Sequence, residues 1–252
     1  MDILDAPIPP EAVEARLDAL VARHRRAGNA GIELLNLLGG QAEGLLDRLP
    51  PVLRAQLSVR TEAALRAAMA AAQGSRGVVA QGPGWMNRAL STTMGGLGGM
   101  GGLPTALIEL PITVTVLLRA IQDAAVDASF DPAEAGVQYD CIQVFATAGP
   151  LDRDDGADTG FIGTRLTVTG PALNALIARV APRLAAVLGQ KLAAQAVPVL
   201  GAAAGAATNY VYTGYYQQMA QVHFGLRRLA IEADLPHDQV LGVFRQRLAG
   251  PD

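Results

Sequence analysis

The chain has 252 residues, half of them apolar, and a formal net charge of −3. That length supports one large core or two small ones, and the near-neutral balance argues against a nucleic-acid binder, which would show a basic stripe. Only 17% of residues are charged, below the roughly 25% usual in soluble domains, and mean hydropathy is +0.25, so the surplus apolar surface must meet a deep core, a partner or lipid.

Pro7, Pro9 and Pro10 open the chain and place a helix start near Glu11. Val13, Leu17, Leu20 and Val21 then repeat at helical spacing, His24, Arg25 and Arg26 fill a last turn, and Gly28 reads as the stop. Ile32 to Leu38 is an apolar segment ending at Gly39-Gly40, and Leu45 to Leu49 is another before Pro50-Pro51. Val52 to Gln73 reads as an amphipathic helix through Leu53, Leu57, Leu65 and Met69. Gly74 to Gly102 is glycine-dense, with Trp85 and Met86 as its large apolar residues. Leu103 to Val126 is an apolar helical stretch that Pro104 and Pro111 divide. Pro132 to Ala146 predicts a helix capped by Asp131, with Pro132 at its first position.

Leu151 to Gly163 is acidic, Gly-rich and aperiodic, which marks an internal linker over 151–163. Pro171 to Gln195 carries a helical stripe from Leu173 to Leu188, broken by Pro198 and Gly201. A long helix comes next over about Ala202 to Ala233; Pro236 ends it, and a short amphipathic helix, Asp238 to Leu248, closes the chain. Arg165 to Thr169 and Ile112 to Val116 alternate like strands but lack a hairpin partner, so both read as helix or loop. The expected fold is all-α: one domain over 1–252, a compact bundle of about 7–10 helices. Gly/Ala-rich helices form its centre, and a helical hairpin lies near its C-terminus.

Cys141 is the single cysteine, so no intramolecular disulfide is possible and a reducing compartment is expected. The acidic start lacks the basic and apolar regions of a signal peptide. A cytoplasmic protein without a cleaved leader is therefore expected. From Leu192 to Val222 there is no Asp, Glu, Lys, Arg or His, but Pro198, Gly201 and seven Gln, Asn and Thr residues interrupt the run. Met94 to Leu118 holds Glu109, and a carboxylate at bilayer depth costs several kcal/mol. Buried small-residue helices are the favoured reading, with lipid contact at the interface next and spanning helices last.

Gly96-Leu97-Gly98-Gly99-Met100-Gly101, with Gly102 directly after it, matches a dinucleotide fingerprint in letters only. No strand precedes it and Pro104 interrupts the segment after it, so these glycines read as close-packing positions. Gly201 and Gly205 form a second small-xxx-small pattern. Glu109 reads as an acid near a helix start, or as a buried acid paired with Arg119. Arg119 and Asp123 are spaced to pair on one helix face. Asn209, inside an apolar helix, is expected to hydrogen-bond to a neighbouring helix. His24, His223 and His237 show no ligand spacing and read as helix-end or surface residues, so no metal site is expected. Cys141 reads as a small buried hydrophobe. No nucleophile elbow, zinc-protease or phosphate-loop motif is present, and no cofactor is expected.

Three segments together resemble one family. Gly95 to Pro132 carries a glycine block, then Glu109-Leu110-Pro111, then Arg119 and Ile121; Tyr139 to Gly149 contains YDCIQVFATAG; and Lys191 to Tyr212 spaces Pro198, Gly201, Gly205 and Asn209. In that order they resemble EcsC family proteins, from about Glu11 onward. Ile142 stands where the family pattern has Leu, and the acidic stretch Asp152 to Asp158 departs from it. The resemblance implies a helical protein from a mainly bacterial family without a defined activity, and it is compatible with membrane association; the expected location is cytoplasmic, with a peripheral place at the inner face of the membrane as the alternative. A peptidase label carried by some members finds no supporting constellation here. The expected function is thus a membrane-peripheral or apolar-ligand-binding helical protein. The alternatives are a soluble interaction module or homo-oligomer, and an enzyme using Glu109 and Arg119 in a buried pocket.

Overall fold

Pro9 and Pro10 start the first helix as their fixed backbone angle dictates, with Ala12 N and Val13 N both donating to Pro9 O, at 2.9 and 3.2 Å. The computed structural model describes residues 6–37, 51–75, 112–147, 172–182, 185 and 201–250. Among these it forms seven helices and no strand. They are α1 (Pro10–Leu37), α2 (Pro51–Ser75), α3 (112–127), α4 (Ala135–Thr147), α5 (172–182), α6 (Gly201–Glu232) and α7 (His237–Ala249). The all-α expectation holds, and 112–116 is helical rather than extended.

α6 is the spine. Its 32 residues span about 48 Å at 1.5 Å per residue, long enough to serve two cores. One core gathers Leu65, Leu117, Leu118, Ile121, Ile142, Phe145, Ile177, Tyr212, Tyr216 and Phe224, from α2 through α6. The other joins Val13, Leu17 and Val21 of α1 to Val222, Leu226 and Leu229 of α6 and to Val240, Leu241 and Phe244 of α7. Four of the chain's five tyrosines fall between positions 210 and 216. Three of them are buried, and Phe145 meets Tyr216 edge-on at 4.9 Å. Over 212–216 α6 therefore packs through bulky rings, where the sequence predicts slim side chains.

α1 runs antiparallel to α6. Arg16 pairs with Glu232, Arg23 donates to Gln221, and Leu20 lies against Gly225, where an added Cβ would sit 2.7 Å from a leucine methyl. α4 is also antiparallel to α6: Asp140 faces Arg227 and Phe145 faces Tyr216.

Two local expectations need correction. α1 does not stop at Gly28 but continues through it to Leu37. A glycine weakens a helix by only about 1 kcal/mol, and the fully buried Ala27 beside it anchors the helix to the first core. α4 starts at Ala135, three residues after Pro132. The Asp131 carboxylate accepts from Ala133 N at 2.8 Å and its carbonyl from Glu134 N at 3.0 Å, which commits the cap to a turn before the helix.

α3 and α6 end alike. Phe130 N reaches back to Ala125 O at 2.9 Å and Leu235 N to Ala230 O at 3.0 Å, with Ser129 and Asp234 at φ 64° and 52°. These are left-handed stops of the kind glycine usually makes. The segments Leu45 to Leu49 and Gly74 to Gly102, apart from 74–75 at the end of α2, lie outside the described residues. So do the 151–163 linker and Arg165 to Thr169.

Candidate functional site

The residues singled out from the sequence divide into two sets. Glu109, Gly96, Gly98, Gly99, Gly101 and Gly102 lie outside the described residues, and the Glu109–Arg119 pairing lies outside them too. Arg119 and Asp123 are both on α3, a turn apart on one face and partly buried. Gly201 begins α6, and Gly205 comes one turn later. Asn209 is buried, and with Thr213 and Gln217, each four residues on, it forms a buried polar stripe along α6. Cys141 is fully buried in the first core, as its reading as a hydrophobe requires.

A cluster that sequence reasoning missed lies where α4, α6 and α7 meet. Arg227 Nη1 donates to Asp140 Oδ2 at 2.6 Å, and the same oxygen is 3.5 Å from His223 Nε2. The guanidinium lies 4.5 Å from the centroid of the Phe130 ring, so Arg227 is held between an acid and an aromatic face. His223 is 5% exposed, which corrects its reading as a helix-end or surface residue; α4 and α7 cover the point where charge returns to the helix. His24 is likewise inside α1, edge-on to Phe244 at 5.8 Å, because the helix continues past Gly28. His237 does stand at a helix end, the start of α7. Burial, then the neighbouring His223, pushes its pKa below 6.5; Arg227 adds to this, while Asp238 and Asp140 oppose it.

A His beside an Asp can relay a proton, but here the ring is enclosed and the carboxylate is held by Arg227. The arrangement pins α4 to α6 and holds the turn after α3 against them through Phe130. Its sequence signal was His223 and Arg227 at i,i+4, the first titratable residues after the uncharged run. Nothing local named Asp140 as their partner. Among the described residues, no group of three or more His, Cys, Asp and Glu could hold a metal ion.

Toward the start of α6, charge thins out along four of the helices. α6 has no Asp, Glu, Lys or Arg from Gly201 to Leu226; neither do 112–118 of α3 and 141–147 of α4, and 27–37 of α1 holds only Glu33. Phe130, in the turn after α3, packs on Phe224 at 5.8 Å, so α3 ends at that level of α6. α3 and α4 flank this short turn and share the first core. They are thus an antiparallel hairpin, and α3 runs parallel to α6. Ile112 and Tyr210 therefore lie toward the same end, and they are 43% and 50% exposed. No helix among the described residues is long and apolar enough to cross a membrane.

No curated protein and no solved structure matches the chain. The family model described as the EcsC protein family matches residues 80–229, more than half of the length. The matched stretch holds α3, α4, α5 and nearly all of α6, with the Asp140–His223–Arg227 pin and the uncharged end, and it shows that this chain belongs to the EcsC protein family.

Proposed function

We propose that this chain acts as a peripheral protein of a lipid surface at the inner face of a membrane, resting the end of its bundle where the described stretches of α3, α4 and α6 are free of charge on the headgroup and acyl boundary. The observation that carries this is the exposure of Ile112 and Tyr210 where α3 and α6 are free of charge. Tyrosine suits that boundary because its ring is apolar and its hydroxyl stays wet. An apolar contact without spanning helices gives reversible binding.

The test is flotation of the purified chain with vesicles of phosphatidylethanolamine and phosphatidylglycerol. The wild type is expected to float with the lipid. Replacing Ile112 and Tyr210 by serine is expected to weaken binding by about tenfold or more. A wild-type chain that stays wholly in the lipid-free fractions defeats the proposal. A second copy covering Ile112 and Tyr210 is the competing occupant. Light scattering in lipid-free buffer separates the two, since a lipid-facing end leaves the protein monomeric.

A further inference from the structure

The outer face of α2 is a second surface without a partner among the described residues, and its composition differs from that of the charge-poor end. Val52 is 66% and Val59 is 70% exposed, the largest values among the exposed large hydrophobic residues described. At 100° per residue, Val52, Val59 and Ala63 fall within about 40° of one another, on the side opposite the buried Leu57, Thr61, Ala64, Leu65, Ala68 and Met69. Arg66 lies roughly 20° beyond this line on one side and Arg60 roughly 60° beyond it on the other. The face is therefore an aliphatic line flanked by two arginines.

The charges on this face do not cancel. Arg60 donates from Nε and Nη2 to Gln56 Oε1, at 3.2 and 3.0 Å, so its partner among the described residues is neutral. Arg66 is offset by Glu62 at 2.7 Å and also reaches Asn174 of α5. With Arg60 and Arg66 against Glu62, the described charges of α2 leave a net positive balance in a chain whose net charge is −3.

We infer that this face of α2 is a docking surface for anionic lipid headgroups. The valines enter the interface, and the arginines reach past them to phosphate, stems along the apolar surface and guanidinium groups in the headgroups. An isologous dimer on the same face brings the arginines of one copy toward those of the other, which disfavours a second copy. The inference rests on the membrane-peripheral reading and adds to it the face and the lipid charge.

The full-length chain is tested by flotation with vesicles of phosphatidylcholine alone and of phosphatidylcholine with phosphatidylglycerol, at low and high salt. The expected result is a preference for the phosphatidylglycerol vesicles that salt removes. Arg60→Gln is expected to lose about fivefold in that binding, and Val52→Ser with Val59→Ser about tenfold. All variants should melt with the wild type, because these side chains are exposed. A wild type that floats while both variants float equally well overturns the α2 face and leaves the membrane reading standing. A wild type that binds no vesicle overturns both. Variants that lower the particle mass in lipid-free buffer assign the face to a second copy and overturn the lipid inference.

Discussion

Replacing Gly28 by alanine tests the course of α1, on which the whole α1–α6 pairing depends. Gly28 lies inside a 28-residue helix, and a Cβ built on it meets nothing within 4 Å. Alanine there keeps every contact and removes the entropic weakness of glycine, a gain of about 0.4–1 kcal/mol. Had Gly28 been the left-handed helix stop that the sequence suggests, alanine would cost about 1–2 kcal/mol instead, so the sign of the effect discriminates. Urea unfolding reads it as a higher midpoint at unchanged slope, and a thermal melt as a rise of roughly 1–4 °C. Gly242 of α7 is equally open and should respond in the same direction. Gly225 is the contrast, because its Cβ would press on Leu20; alanine there is expected to be neutral or to destabilise by up to about 2 kcal/mol. A Gly28→Ala chain less stable than wild type refutes the continuous helix, and with it the placement of 27–37 beside the start of α6.

Asp140→Asn leaves Arg227 partly buried over Phe130 without its counter-charge, and a loss of about 1–3 kcal/mol is expected in urea unfolding. The partial exposure of the pair keeps the loss below that of a deeply buried pair. Phe244→Ala empties the middle of the second core and is expected to cost about 3–5 kcal/mol, releasing α7 to proteolysis before the rest of the bundle. His237 favours its neutral form in the fold, with its pKa pushed below 6.5, so its contribution is fully present above 6.5 and is lost as pH falls from there toward the lowered value. The urea midpoint of the wild type is therefore expected to drop between pH 7.5 and 5.5, and His237→Gln to flatten that drop; an equal drop in both chains rules the ring out as its source.

Much of the helix layout was legible because its punctuation is local. Pro198 and Gly201 place the start of α6 within a residue, and Pro236 separates α6 from α7. Proline removes a donor and fixes φ whatever surrounds it. Gly28 misled because glycine is only a weak breaker, and burial of Ala27 outweighs it. Asp131 misled because a carboxylate can cap a turn as readily as a helix. The Asp140–His223–Arg227 pin was out of reach for another reason: its acid and its bases are more than 80 residues apart. Periodicity on one helix cannot say which residue of another helix faces it. The exposed valines of α2 were visible as letters, but their exposure depends on which side of the helix the core takes.

The two charge patterns have a common physical consequence. The core of an EcsC-family chain needs apolar side chains inside its helices, but burial alone does not require the outer surface of those helices to lose its charge. Charged side chains on an outer face cost nothing and favour solubility. Ile112 and Tyr210 stand exposed at an end where four helices carry almost no charge, while the pin and the α1–α7 ion pairs gather the acids and bases at the other. α2 keeps its arginines, but it sets them beside exposed valines. A surface that is apolar inside and anionic at its edge gives a reason for both, since it accepts Tyr210 and Ile112 where charge is absent and Arg60 with Val52 and Val59 where it is present.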